Sequence, residues 1–207
     1  MRYLVNNVMY DINNNVKNRN NSKISETISY FQNYSSYISL LTIQPVLENI
    51  RQNHFLYPQF FRPLMHDNFF IPEGHELFFE KGIYHFFNND MLEAQHLLIL
   101  QFENSLRHLL RYKVSLVIQN LDGREKENIK IENLIDYCIE YDLIDRKILF
   151  YLKLIFDSDY INFRNDIAHG FYKSEDLENN QIFQIFVCLL LYILIYENKK
   201  YNVKLLK

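Results

Sequence analysis

The 207-residue sequence predicts an all-α protein, and three features of the chain support this fold class. The chain has only four glycines and four prolines, whereas β-sandwiches and barrels use many of both at their turns. Apolar residues recur at intervals of three and four over long stretches, which is the period of one helix face. Short polar segments with helix-starting and helix-ending residues separate these stretches. We therefore expect a bundle of roughly six to eight helices with at most minor strand.

The first third of the chain carries the weakest signals of regular structure. Residues 1–23 are rich in asparagine and are expected to form a linker or a poorly ordered arm, or the edge of a longer protein. Helical spacing extends over residues 24–54, where Pro45 marks a break or the start of a second helix. Residues 55–74 contain three prolines and a glycine and predict an irregular, aromatic-rich connector.

We treat residues 24–70 as an N-terminal helical extension and residues 71–207 as the main helical domain. A helix is predicted over 76–87, followed by the turn Asn88-Asn89-Asp90, in which Asp90 is suited to cap the next helix. That helix, over 91–117, is long and strongly periodic. Further helices are predicted over 131–140, 143–156, 160–169 and 177–196.

Two segments of this domain leave alternatives open. Residues 121–130 predict a charged loop, with a hairpin around Asp122-Gly123 as the less favoured alternative. The apolar run of residues 182–196 is shorter than the ~20 residues that a membrane crossing needs, so a buried core helix is favoured over a membrane segment.

Composition limits the function classes. The formal charge of −3 argues against a surface coated in positive charge for bulk nucleic-acid binding, although it leaves room for a local basic site. Cys138 and Cys188 lack the spacing of a zinc site and are both expected in the core, which fits a reducing cytoplasm. The N-terminus has no secretion-signal pattern, and no phosphate-binding glycine loop is present. We expect a cytoplasmic protein without a metal or cofactor.

The segment from Asn162 to Gly170 is chemically the most informative, because it carries Arg164, Asn165, Asp166 and His169. Arginine grips phosphate with parallel hydrogen bonds, and histidine exchanges a proton near neutral pH. Helix positions four apart share a face, which places Asn165 beside His169, with Arg164 at the rim. The helix end, closed by Gly170 in a left-handed cap, favours a cation at His169, and Asp166 is placed to steady the ring.

These residues predict phosphodiester cleavage without a metal, in which histidine moves a proton and arginine stabilises charge on the phosphoryl oxygens. For RNA, the attacking group is the neighbouring 2′-hydroxyl. The alternative interpretation is structural, since glycine after a helix end and histidine in the last turn are common for reasons of capping alone.

The pattern Arg164-Asn165-x-x-x-His169-Gly170 resembles the Arg-x4-His signature of the HEPN superfamily (higher eukaryotes and prokaryotes nucleotide-binding). More narrowly, it resembles the RNxxxHG motif of an uncharacterised HEPN-like domain family. The similarity covers roughly residues 70–195. Upstream segments follow in the same order as in that family, namely Ile71-Pro72-Glu73-Gly74, Phe79-x-x-Gly82-Ile83-Tyr84, Asn89-Asp90-x-x-x-Ala94-x-His96-Leu97-Leu98 and Gln101-Phe102-Glu103-x-x-x-Arg107.

The resemblance implies a HEPN-like helical bundle that pairs as a homodimer, with the two motifs forming one composite RNA-cleaving site. It implies a metal-independent endoribonuclease, a hydrolase that acts as a toxin or antiphage effector and has an antitoxin or sensor partner. Arg164 and His169 take the catalytic positions, and Asn165 takes the polar position between them. The alternative is a non-catalytic HEPN-like module for dimerisation or nucleotide binding.

The long helix over 91–117 carries a second set of candidate residues. Glu103 and Arg107 are four apart with the acid first, which is the favourable order for an ion pair. His96 lies on nearly the same face, two turns earlier. One interpretation is a solvated helix face, and the other is support for the motif helix or contact with RNA phosphate. The pair His66-Asp67 has no further suitably spaced ligands, so no metal site is expected there.

Overall fold

The computed structural model describes residues 19–114, 129–169 and 180–199, and all regular structure in these ranges is helical. The predicted all-α class is therefore confirmed for the described residues. The Asn-rich residues 1–18, the loop containing Asp122-Gly123 and the cap at Gly170 lie outside them. The α-helices are α1 (Arg19–Ile38), α2 (Gln44–Asn53), α3 (Arg62–Met65), α4 (Glu76–Phe87), α5 (Met91–Val114), α6 (Ile131–Glu140), α7 (Arg146–Phe156), α8 (Phe163–Ala168) and α9 (Gln181–Tyr192).

The first two helices form one continuous helical rod. Helix α1 begins at Arg19, inside the segment that the sequence assigns to an Asn-rich arm. A π-helical turn, Ser39–Ile43, joins it to α2, and the N–H of Gln44 donates to the carbonyl of Ser39. Pro45 is the second residue of α2, and because the helix continues through it, its ring and missing N–H are incompatible with the ordinary i−4 hydrogen bond, which fits the π-helical pattern directly before it. The break predicted at Pro45 is thus a local change of hydrogen-bond pattern, and the backbone remains helical.

The predicted connector is largely irregular, as expected. It contains a 3₁₀ turn, Pro58–Phe61, and the short helix α3. The buried side chain of Asn68 donates to the carbonyls of Leu64 at 3.0 Å and of Leu194 at 2.9 Å. These bonds fix the connector against the C-terminal helical segment.

Helices α4 and α5 form an antiparallel pair around a three-residue turn. Helix α4 has the predicted bounds, and Asn89 adopts a left-handed backbone (φ 69°) in the turn. The carbonyl of Asp90 accepts the N–H of Ala94, and its carboxylate lies 3.2 Å from Nδ1 of His85. The turn residues in the sequence therefore determine where α4 ends and where α5 begins.

Gly82 allows the close approach of α4 to α5. A β-carbon at this position would lie 2.6 Å from Cδ2 of Leu98, whose side chain is fully buried. We expect Gly82→Ala to lower the free energy of unfolding by about 2 kcal/mol, because forced overpacking exceeds the gain in helix propensity. Urea denaturation measures this, with the exposed Lys81→Ala as control. A stability equal to that of the control would contradict the packing argument.

An aromatic cluster around Phe102 holds the bundle together. Its ring lies 5.2 Å from that of Phe156 on α7, 5.3 Å from that of Phe186 on α9 and 5.9 Å from that of Phe70 in the connector. Phe31 of α1 belongs to the same hydrophobic cluster, so residues on both sides of the predicted boundary at residue 70 share one core. The cluster fixes α5, which carries part of the candidate site, against α7 and α9.

Side-chain caps set the starts of α7 and α9. Asp145 accepts the N–H of Lys147 at 2.8 Å, so α7 begins three residues later than predicted. Asn180 accepts the N–H of Phe183 at 2.9 Å and starts α9, which continues into a π turn, Ile193–Glu197. Among the described helices, none has both the length and the apolar character needed to cross a membrane.

The two cysteines occupy different environments. Cys138 on α6 is buried, and burial raises the pKa of its thiol to about 12. Cys188 on α9 is exposed, so the prediction that both thiols lie in the core is wrong for this residue. Helix α9 buries Phe183, Phe186 and Val187 against the bundle, and position 188 lies outside that face.

Candidate functional site

The motif helix α8 is anchored to the bundle at its first residue. It begins at Phe163 rather than at the predicted Tyr160, because residues 158–161 form turns and Asn162 adopts a left-handed backbone (φ 58°). Asparagine is one of the few residues that tolerate this conformation. The buried ring of Phe163 stacks on Phe183 of α9 with centroids 6.3 Å apart. This contact determines where the following polar residues lie.

Arg164 extends from α8 onto the surface of α5. Its Nε donates to Oε2 of Glu103 at 3.1 Å, and its Nη1 donates to Oδ1 of Asn165 at 3.3 Å. The side chain remains 33% exposed. The guanidinium is therefore oriented by the protein and still reaches the surface.

Glu103 bridges two arginines. Its Oε1 accepts from Nη2 of Arg107 at 2.6 Å, while its Oε2 binds Arg164. The same Nη2 of Arg107 also donates to the carbonyl of Ile129 at 2.8 Å, just before α6. The predicted Glu103–Arg107 pair is confirmed, and it lies beside the motif helix with side chains only 14% and 17% exposed. The solvated-face interpretation is therefore wrong for these two residues.

His96 does not join this cluster. Its side chain is exposed, and its Nδ1 lies 2.8 Å from the carbonyl of Leu92, one turn earlier in the same helix. Two helical turns, or about 10 Å along the axis, separate His96 from Glu103. The shared helix face was correctly predicted, but α8 contacts α5 near Glu103 and not near His96. A supporting role for His96 stays a prediction.

Asn165 connects the two ends of the motif. Its Nδ2 donates to Oδ1 of Asn162 at 2.7 Å, and its backbone carbonyl accepts the N–H of His169 at 2.9 Å. His169 is the first residue after the last turn of α8, and it is exposed. Asp166 is half-buried, and burial raises the pKa of its carboxyl. The predicted steadying of His169 by Asp166 stays a prediction.

Two features of the site were missed at the level of sequence. The left-handed Asn162 orients the amide of Asn165, and the carbonyl of Ile129 orients Arg107. The left-handed turn could have been predicted from the asparagine that precedes the motif. The contact with a backbone carbonyl could not, because every residue type has this group. Within the described ranges, no group of three or more His, Cys, Asp or Glu side chains is placed to hold a metal.

The arrangement combines a partly exposed cation on the six-residue helix α8 with an exposed imidazole on the residue that follows it. Chemically, it can bind an anion such as phosphate and exchange a proton with a bound group. No family model, curated protein or solved structure matches this chain.

Proposed function

We propose that this protein is a metal-independent endoribonuclease of the HEPN type, active as a homodimer in which the motifs of two copies form one site. The observation that carries the proposal is that Arg164 on α8 is partly exposed and that His169, the residue after α8, is exposed. A guanidinium and an imidazole sealed in the core would have no access to a nucleotide strand. The sequence similarity to the HEPN motif supports the choice of RNA as substrate.

In this proposal each motif residue has a distinct task. Arg164 binds the phosphate next to the scissile bond; the contacts described above use only two of its five N–H donors. His169 removes the proton from the attacking 2′-hydroxyl or supplies one to the leaving 5′-oxygen. Asn165 holds Arg164 from α8, and Glu103 holds it from α5. The enzyme acts on cytoplasmic RNA as a toxin or antiphage effector, restrained by an antitoxin or sensor partner.

A second candidate function is a non-catalytic module for dimerisation or nucleotide binding. The observation that favours it is the ion pair between Glu103 and Arg164, which already compensates the charge needed to bind phosphate. In this case the polar motif stabilises an interface or holds a nucleotide without cleaving it.

Metal removal tests the first candidate directly. The purified protein is expected to cleave a labelled single-stranded RNA equally well with Mg²⁺ and with excess EDTA, since no step requires a metal. The products are expected to end in a 2′,3′-cyclic phosphate, and a 2′-deoxy substitution at the cleaved position should block cleavage. Cleavage that stops in EDTA and returns with Mg²⁺ would contradict the mechanism.

The Arg164→Ala variant separates the two candidates. If the protein is a nuclease, this variant loses cleavage while the wild type retains it. If the protein is a non-catalytic module, neither cleaves, and sedimentation or nucleotide titration shows weaker dimerisation or binding in the variant. Circular dichroism of both proteins controls for folding.

A further inference from the structure

Helix α1 and the π turn after it carry an exposed stripe of large side chains far from the motif in sequence. Tyr30, Tyr34, Tyr37 and Leu41 are 76%, 58%, 67% and 76% exposed. They are separated by four, three and four residues, which is the spacing of the a and d positions in paired helices. We refer to these four residues as the tyrosine stripe.

The surroundings of the tyrosine stripe are uncharged. From Thr27 to Leu47 the sequence contains no Asp, Glu, Lys, Arg or His. An exposed helix face normally carries charged residues, whereas the centres of protein interfaces are depleted of charge and enriched in tyrosine. The absence of cations disfavours binding to RNA phosphates or to anionic lipid. A protein surface is therefore the partner that fits the stripe.

The opposite face of α1 holds this helix on the bundle. Phe31 is buried and stacks on Tyr151 of α7, with ring centroids 6.1 Å apart. Buried Ser39, in the π turn, donates from its hydroxyl to the side-chain oxygen of Gln184 on α9. Because this inner face fixes α1, the tyrosine stripe is not needed to attach the helix to its own chain.

We propose that the tyrosine stripe binds the same stripe of a second copy of the chain, with the two α1 helices antiparallel. A two-fold axis between Tyr34 and Tyr37 places Tyr30 of each copy opposite Leu41 of the other. Self-pairing places no like charges in opposition, because this stretch has none.

The exposed area of the stripe is compatible with such an interface. If a fully exposed large side chain presents roughly 200 Å², the exposed fractions of the four stripe residues and of the neighbouring Leu40 correspond to about 660 Å² per copy. A standard interface buries about 800 Å² per partner, and the small polar residues between the tyrosines add to the total.

This contact is separate from the proposed nuclease dimer, in which the motifs of two copies form one site. A chain that uses both two-fold contacts assembles beyond a dimer. The stripe contact does not depend on RNA cleavage, so the absence of nuclease activity would not contradict it.

Sedimentation velocity of the full chain tests the contact. We expect Tyr34→Glu and Tyr37→Glu each to halve the assembled mass, because every substitution places two carboxylates at one apolar interface. Tyr57→Glu is the matched control, since Tyr57 is an equally exposed tyrosine outside the stripe (64%) and should leave the mass unchanged. A monomeric wild type, or an unchanged mass in both stripe variants, would overturn the proposal.

Disulfide trapping tests the antiparallel arrangement. In a Cys188→Ser background, mixing Tyr30→Cys with Leu41→Cys should give a crosslinked pair on mild oxidation. Either variant alone should not crosslink, because its two cysteines would be displaced by about 16 Å along the helices, beyond the ~7 Å limit for Cα atoms in a disulfide. Crosslinks within one variant, or none in the mixture, would overturn the antiparallel contact.

Discussion

Replacing His169 with alanine is expected to slow RNA cleavage by about 10²–10⁴-fold, the usual contribution of general acid–base catalysis. Of the motif side chains, the imidazole is the one whose unperturbed pKa lies close to neutral pH, whereas Arg164 remains charged. The residue is exposed and follows the end of α8, so its removal leaves no cavity in the core. Single-turnover cleavage of a fluorescent RNA gives the rate, and circular dichroism reports the fold.

His54→Ala is the matched control for this substitution. His54 is also exposed and also follows the last residue of its helix, α2. Its replacement should leave the rate unchanged. A full wild-type rate in His169→Ala beside an inactive Arg164→Ala variant would contradict the proposed role. Equal rates in the wild type and in all three variants would instead indicate a contaminating ribonuclease.

The sequence predicted helices well where local chemistry defines both ends. The bounds of α4 follow from its apolar spacing and from the turn residues Asn88 to Asp90. The start of α8 was wrong by three residues, because the helical spacing continues back through Tyr160. A tertiary contact prevents the helix from starting there, because the N–H of Ile161 donates to the carbonyl of Leu154 on α7. A local pattern cannot reveal that bond.

In the candidate site, too, contacts within one helix could be predicted from the sequence, whereas contacts between helices could not. The Glu103–Arg107 pair follows from the helical repeat alone, and the structure contains it. The contact between Glu103 and Arg164 joins residues 61 positions apart and depends on how α8 packs on α5. His96 shares the helix face but lies outside the area that α8 covers. The sequence periodicity thus identified the correct face of α5, but the packing of α8 on α5 determines which residues of that face contact the motif.

Glu103 is the site residue whose loss should destabilise the fold most, because its one carboxylate compensates the charges of two guanidinium groups. Its side chain is mostly buried, and both of its oxygens are used. Removing it would leave Arg107 and Arg164 close together without a counter-charge. The loss of a buried partner costs about 3–5 kcal/mol, and partial exposure of Arg164 to solvent reduces this cost.

We therefore expect Glu103→Ala to lower the free energy of unfolding by about 3 kcal/mol, which urea denaturation measures. Glu48→Ala, at an exposed position of α2, should change it by less than about 0.5 kcal/mol. Adding Arg107→Met to Glu103→Ala should recover part of the loss, because it removes one of the uncompensated charges. A loss in Glu103→Ala no larger than in Glu48→Ala would show that solvent, and not this carboxylate, compensates the two arginines.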